Sequence, residues 1–131
     1  MSTITKKIYY HDTDAGGVVY YANYLKFLEE ARTQFFEDLG LGVRAFSERG
    51  FTYAVRYCHI TYKSPARYGD TLICDAKIVK VTGAQVIFAQ RVWDETEPRT
   101  FAEAEVALVC LDRHFKPHAL PDDLRSKLED A

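Results

Sequence analysis

The apolar positions in the first third of the chain recur every three or four residues. From Tyr21 to Leu39 the bulky side chains fall at Tyr21, Tyr24, Leu25, Leu28, Phe35 and Leu39, with Ala31 and Arg32 beside them. That spacing lines one side of a helix and predicts that this side is buried. Lys26, Glu30, Thr33 and Glu37 repeat on the opposite side, where Lys26 and Glu30 can pair weakly in water. Gly40 and Gly42 end the helix. Residues 4 to 10 read as extended, and a short helix or turn is expected over 43 to 49.

Beyond Phe51 the period becomes two. Segments 51–63, 71–82, 85–94 and 100–111 are rich in β-branched and aromatic residues and predict strands. The breaks are turn-forming: Ser64-Pro-Ala-Arg-Tyr-Gly-Asp70, Thr82-Gly83-Ala84 and Asp94-Glu-Thr-Glu-Pro-Arg99. Connections this short predict antiparallel neighbours, hence a meander. In the last segment Ala102, Ala104, Val106, Leu108 and Cys110 share a face. Glu103 and Glu105 take the other face until Ala107, Val109 and Leu111 make it apolar too, so the far half is expected to be covered twice. Pro121 to Leu128, acidic early and basic late, predicts a short terminal helix. A long amphipathic helix followed by an antiparallel meander predicts an α+β fold, with the sheet curled around the helix.

At 131 residues the chain has the size of one domain, spanning 1–131. A net charge of −2 gives no general attraction for nucleic acid or anionic lipid. No signal-peptide stretch or bilayer-length apolar run is evident, so a cytoplasmic location is expected. Cys58, Cys74 and Cys110 are scattered among apolar residues and read as reduced core thiols. No metal or cofactor is expected: paired ligand spacing is absent, and Pro117 opposes the turn that would join His114 to His118, both read as surface loop residues. His11 and His59 read as hydrogen-bonded structural histidines.

The chemistry concentrates in residues 9–24, which combine acids, glycines and a helix start. Gly16 and Gly17 open backbone dihedrals closed to other residues and allow a ligand to approach the main chain. The first amides of the following helix have no internal partners and can hydrogen-bond an oxygen gaining negative charge. Taken alone, Asp12-Thr-Asp14 is more often turn chemistry and capping than catalysis and the paired glycines more often just a turn, while the tyrosines at 9, 10, 20, 21 and 24 are equally packing residues.

The string Asp12-Thr-Asp-Ala-Gly-Gly-Val-Val-Tyr-Tyr-Ala-Asn-Tyr24, continuing into Glu30-Ala-Arg32, closely resembles the active-site signature of the hotdog-fold 4-hydroxybenzoyl-CoA thioesterase family. It is especially similar to the bacterial Tol-Pal-associated short-chain acyl-CoA thioesterases. Tyr62-Lys-Ser-Pro-Ala-Arg67 with Gly69-Asp70, and Phe115-Lys-Pro117 with Leu120-Pro121, extend the resemblance along most of the chain. The resemblance implies acyl-CoA hydrolysis with Asp14 as catalytic aspartate, Tyr10 near it, and the main-chain amide of Tyr21 polarising the thioester carbonyl. The Tol-Pal-associated branch usually carries histidine where this chain has Tyr21, and tyrosine there resembles the 4-hydroxybenzoyl-CoA branch.

Asp14 could attack directly, giving a mixed anhydride, or activate water; a helix amino terminus stabilises a carboxylate's charged form and favours attack. A homodimer or homotetramer is expected, with CoA across the interface and Lys63 and Arg67 as candidates for its phosphates. Two alternatives compete: a hydratase or dehydratase, whose motif is missing, and a non-catalytic acyl-CoA-binding or regulatory module, which has no evident need for Asp14.

Overall fold

The change of period near Phe51 separates a helical part from a strand-rich part. The computed structural model describes residues 1–131 and gives β1 (Ser2–Lys7), a 3-10 turn (Tyr10–Asp12), α1 (Asn23–Asp38), α2 (Val43–Glu48), β2 (Thr52–Tyr62), β3 (Thr71–Val81), β4 (Gln85–Asp94), β5 (Thr100–Leu111) and α3 (Asp122–Glu129). The sheet is antiparallel and ordered β1-β3-β4-β5-β2. No helix is long and apolar enough to cross a membrane.

That order corrects the simple meander. β3, β4 and β5 are consecutive neighbours, but β2 pairs with β5 rather than with β3. Residues 63–70 therefore cross three strand spacings, roughly 14 Å, from one edge of the sheet toward the other. The crossing is tied down along its length. Lys63 N–H donates to the Phe101 carbonyl, Ala66 carbonyl accepts from Val19 N–H, and Gly69 and Asp70 exchange bonds with Ile8. Proline and glycine here build a crossover, not a hairpin, and it runs against the glycine-bearing segment before α1.

α1 packs against β1 and β3, and its aromatic side chains reach β4 and β2. Its buried face is Tyr24, Phe27, Leu28, Ala31, Arg32, Phe35 and Phe36. This shifts the stripe read from the sequence: Phe27 and Phe36 belong to it, whereas Leu25 is 48% exposed and Tyr21 62%. Tyr21 precedes the helix, and Leu25 is turned about 100° away from Tyr24, beyond the arc the sheet covers. Phe35 and Phe36 each meet the Phe88 ring edge-on, at 5.3 and 5.7 Å, and Phe36 stacks on Tyr53 at 4.9 Å. Each such side chain contributes about 1.5–3 kcal/mol on burial. On the outer side Glu30 pairs with Lys6 of β1 at 3.6 Å, not with Lys26.

The end of β5 is covered on both faces. Ala107 and Leu111, opposite Val106 and Leu108, are buried, and Leu111 bridges to Pro117 as the chain turns back. The returning segment then locks onto the β3–β4 turn, where the Gly83 carbonyl accepts from Leu120 N–H and from the Arg125 guanidinium. Leu124 and Leu128 of α3 close the core there. All three cysteines are free, and burial pushes the Cys74 thiol up to about 12, which keeps it protonated and unreactive. His114 and His118 are exposed, as are His11 and His59; His11 stacks on Tyr9 instead of being fixed in a core.

Candidate active site

The segment between β1 and α1 is a tight loop with clamped ends. Thr13 bridges Val19, Asp14 N–H donates to the Val18 carbonyl, and Gly17 N–H returns to the Asp14 carbonyl. Gly17 sits at φ +79°, the left-handed region that favours glycine. Gly16 N–H donates to Asp14 Oδ1 at 2.8 Å, which fixes the carboxylate over the turn. No protein group hydrogen-bonds Asp14 Oδ2, and the residue is exposed. The loop thus presents a carboxylate with one oxygen anchored and the other without a protein partner.

Asp12 does different work two residues earlier. It is 4% exposed; its Oδ2 accepts from Tyr9 N–H at 3.0 Å and its Oδ1 from Asn23 Nδ2 at 3.2 Å. Its carbonyl accepts from Tyr20 N–H. Asp12 and Asn23 therefore tie the entry of the loop to the first residue of α1. Asp12 thus takes the turn-and-capping role read for Asp12-Thr-Asp14, whereas Asn23 has no role in the sequence reading. The available signal was the pairing of an acid in a tight turn with an amide at the helix start.

Helix entry leaves donors unused. Asn23 N–H reaches the Tyr20 carbonyl, and the Tyr24 and Leu25 amides reach Tyr21 and Ala22, but the amides of Tyr21 and Ala22 themselves donate to no protein group. Tyr62 Oη donates to the Tyr21 carbonyl at 3.0 Å and so fixes the peptide plane that follows Tyr21. Tyr62 is a further residue the sequence reading left without a role, although it stands in a quoted segment. Tyr21, Tyr24, Tyr62, Lys63, Val18 and Pro65 line a shallow recess of about 290 Å3.

The structure brings some of the expected residues together and leaves others apart. Gly16 holds Asp14, and Tyr21 and Lys63 share the recess. Lys63 is not free: its Nζ lies 3.2 Å from Glu103. Asp14 stands on the loop outside the residues lining the recess. Tyr10 makes no hydrogen bond to Asp14; it is 81% exposed and meets Tyr68 edge-on. The Arg67 guanidinium forms no ion pair, and its main-chain N–H is held by Asp70. No group of three or more metal-binding side chains occurs.

A clamped loop carrying an acid, unpaired amides at a helix entry and a five-stranded antiparallel sheet define a small α+β scaffold. The thioesterase-like superfamily matches residues 9–128, and the chain belongs to that family. The chain is 38% identical over 119 residues to the acyl-CoA thioester hydrolase YbgC of Escherichia coli O6:H1, covering 90% of this chain and 88% of that protein. It is 36% identical over 121 residues to the acyl-CoA thioesterase YbgC of Haemophilus influenzae, covering 92% and 88%. Among solved structures, the probable thioesterase YbaW of Escherichia coli is 28% identical and superposes with a TM-score of 0.84, covering 98% of this chain and 97% of that one.

Proposed function

We propose that the chain is an acyl-CoA thioester hydrolase in which Asp14 performs the chemistry and the Tyr21 amide stabilises the oxyanion. The observation that carries this is Asp14 itself: Gly16 anchors Oδ1, Oδ2 has no protein partner, and unused amides lie at the helix entry that follows. The curated relatives named as acyl-CoA thioesterases support the substrate class. In this reading the sheet curls around α1 in the hotdog manner and the protein works as a homodimer or homotetramer. The unpaired edge of β2, which exposes Val55 and Tyr57, is the natural seam.

Asp14 Oδ2 attacks the thioester carbonyl carbon, the carbon–sulfur bond breaks, and the thiolate leaves as CoA. The carbonyl oxygen gains charge in that step, and a main-chain N–H aimed at it is worth about 100- to 1000-fold in turnover. Water then attacks the anhydride at the Asp14 carbon, restoring the carboxylate and releasing the acid. Gly16 and Gly17 let the thioester approach the backbone, Tyr10 flanks the loop, and Lys63 and Arg67 receive CoA phosphates. Lys63 must exchange Glu103 for phosphate to do so.

Thiol release from a panel of acyl-CoAs tests the activity and ranks acyl groups; a chain that binds acyl-CoA but releases no thiol is the non-catalytic module. A single turnover in heavy-oxygen water then tests for water attack at the Asp14 carbon of an anhydride, since attack at the substrate acyl carbon labels the product just as activated water does. The anhydride route as written leaves solvent label in Asp14 and an enzyme oxygen in the first product, whereas activated water puts label directly into the acid.

A further inference from the structure

Of the two cations assigned to CoA phosphates, Lys63 already has a carboxylate in Glu103, whereas Arg67 has none. Yet Asp70 stands at the other end of the Arg67 turn and closes it. The Asp70 N–H donates to the Arg67 carbonyl at 3.0 Å, and Asp70 Oδ2 accepts from the Arg67 N–H at 2.8 Å. Gly69, between them, sits at φ +88°. The carboxylate thus lies at the root of the Arg67 side chain, where a flexible arginine stem can fold back onto it. What holds the two apart comes from elsewhere in the chain.

Arg99, at the end of the β4–β5 turn, reaches across to the crossover. Its Nη2 lies 2.7 Å from Asp94 Oδ2 and 3.6 Å from Asp70 Oδ2. Thr96 occupies Asp94 Oδ1 with its N–H at 3.0 Å and its hydroxyl at 3.2 Å. One oxygen of Asp94 therefore remains for Arg99, and the two-pronged pairing of guanidinium with carboxylate is denied. Arg99 Nε is left as the one buried side-chain nitrogen or oxygen without a hydrogen-bond partner. An orphaned donor is costly, and here it accompanies a guanidinium turned so that one nitrogen faces both carboxylates. The Phe101 ring, 4.8 Å from the guanidinium carbon, fixes that plane.

We propose that Arg99 is a positioning residue for substrate: by pairing with Asp70 it keeps that carboxylate off the Arg67 guanidinium, so that Arg67 stays open to a phosphate of CoA. This rests on the reading that Arg67 receives such a phosphate. A cation closed by a neighbouring carboxylate must break that pair first, as Lys63 must with Glu103. Arg67 is spared the step. Its backbone is also fastened to the Asp14 loop, because the carbonyl of the preceding residue, Ala66, accepts from Val19 N–H at 2.8 Å. The open guanidinium therefore starts from a fixed place relative to Asp14.

Titration calorimetry of the whole protein with CoA tests this without turnover. Arg67→Met should weaken CoA binding by about 10-fold, the loss of one charged hydrogen bond. Arg99→Met should weaken it by about 2- to 5-fold, because Asp70 then closes Arg67, and should add nothing in the Arg67→Met background. Adding Asp70→Asn to Arg99→Met should restore the affinity: the amide oxygen still accepts from the Arg67 N–H but does not capture a guanidinium. A role in stability alone predicts the opposite, a double variant at least as weak as Arg99→Met. Arg99→Gln keeps a donor for Asp94 without the charge, and gives the same loss and the same rescue where the methionine variant does not fold. No CoA binding, or unchanged affinity in Arg67→Met, overturns the phosphate reading and this proposal with it. A loss in Arg67→Met with none in the Arg99 variants, or a loss there that Asp70→Asn does not restore, overturns this proposal alone.

Discussion

Around the C-terminal half of α1, Phe35, Phe36, Phe46, Tyr53 and Phe88 hold one another by ring contacts at 4.3 to 5.8 Å. At its N-terminal approach Asp12, Asn23, Val19 and Tyr62 are held by hydrogen bonds, while Tyr10, Asp14, Tyr20 and Tyr21 stay exposed. The first region is adhesive and non-directional; the second is directional and open. Apolar packing supplies stability wherever volume is filled, whereas a carboxylate and an amide must be aimed, and only hydrogen bonds and restricted dihedrals do that. Substitutions in the two regions should therefore separate activity from stability.

The largest effect is expected at Asp14. Asp14→Asn should cut thiol release by about 100- to 10,000-fold while leaving the melting temperature and acyl-CoA binding close to wild type. Near-normal turnover in that variant would falsify the catalytic assignment. Phe88→Ala is the counterpart on the packed side: Phe88 is 0% exposed, and the change should cost about 3–5 kcal/mol in denaturant unfolding.

Gly17 tests the directional region by backbone alone. A Cβ there meets nothing within 4 Å, so the penalty is conformational. Gly17→Val should cost about 1–2 kcal/mol and lower turnover by disturbing the loop, whereas Gly17→Asn should keep more of both; equal losses would show that contact, not dihedral angle, matters. Tyr21→Phe is the smallest, leaving most turnover if the residue acts through its amide. Near-complete inactivity of that folded variant would put the phenol hydroxyl in the chemistry.

A pH series sharpens the stability side. Thr96 N–H, then Arg99, hold the Asp94 carboxyl below the usual range. A depressed folded value means that the contribution is present above the unfolded value of about 3.9 and is lost as pH falls through the lower folded one. Asp94→Asn should flatten that acid limb in thermal melts recorded from neutral pH downward.

Most elements were legible in the sequence, because long segments with clear periods survive tertiary context. β4 and β5 have the limits read from the sequence, and α1 differs by a residue or two. Three features escaped for physical reasons. Phe27 and Phe36 were missed because a sheet covers a wider arc of helix than a four-residue stripe marks. The crossover at 63–70 was read as a local turn because proline and glycine mark a change of direction but not how far the chain then travels. Arg32 was placed near the buried stripe, but its partner Gln90 lies 58 residues away, and nothing local links the two. In the site, the motif located the loop, while the tethers from Asp12 to Asn23 and from Tyr62 to Tyr21 exist only once the chain folds.

The order β1-β3-β4-β5-β2 also sets a timetable. During synthesis β2 is made before every strand it could lie beside, and its sole partner, β5, is not finished until Leu111. For some fifty residues of elongation, Tyr53, Val55, Tyr57 and Ile60 have no strand to rest on. The hairpins of β3, β4 and β5 form from near neighbours, so β2 must wait as the exposed, late-joining element. The nascent chain is most vulnerable to mispairing with another copy of itself in that interval, along the strand left at the edge of the finished sheet.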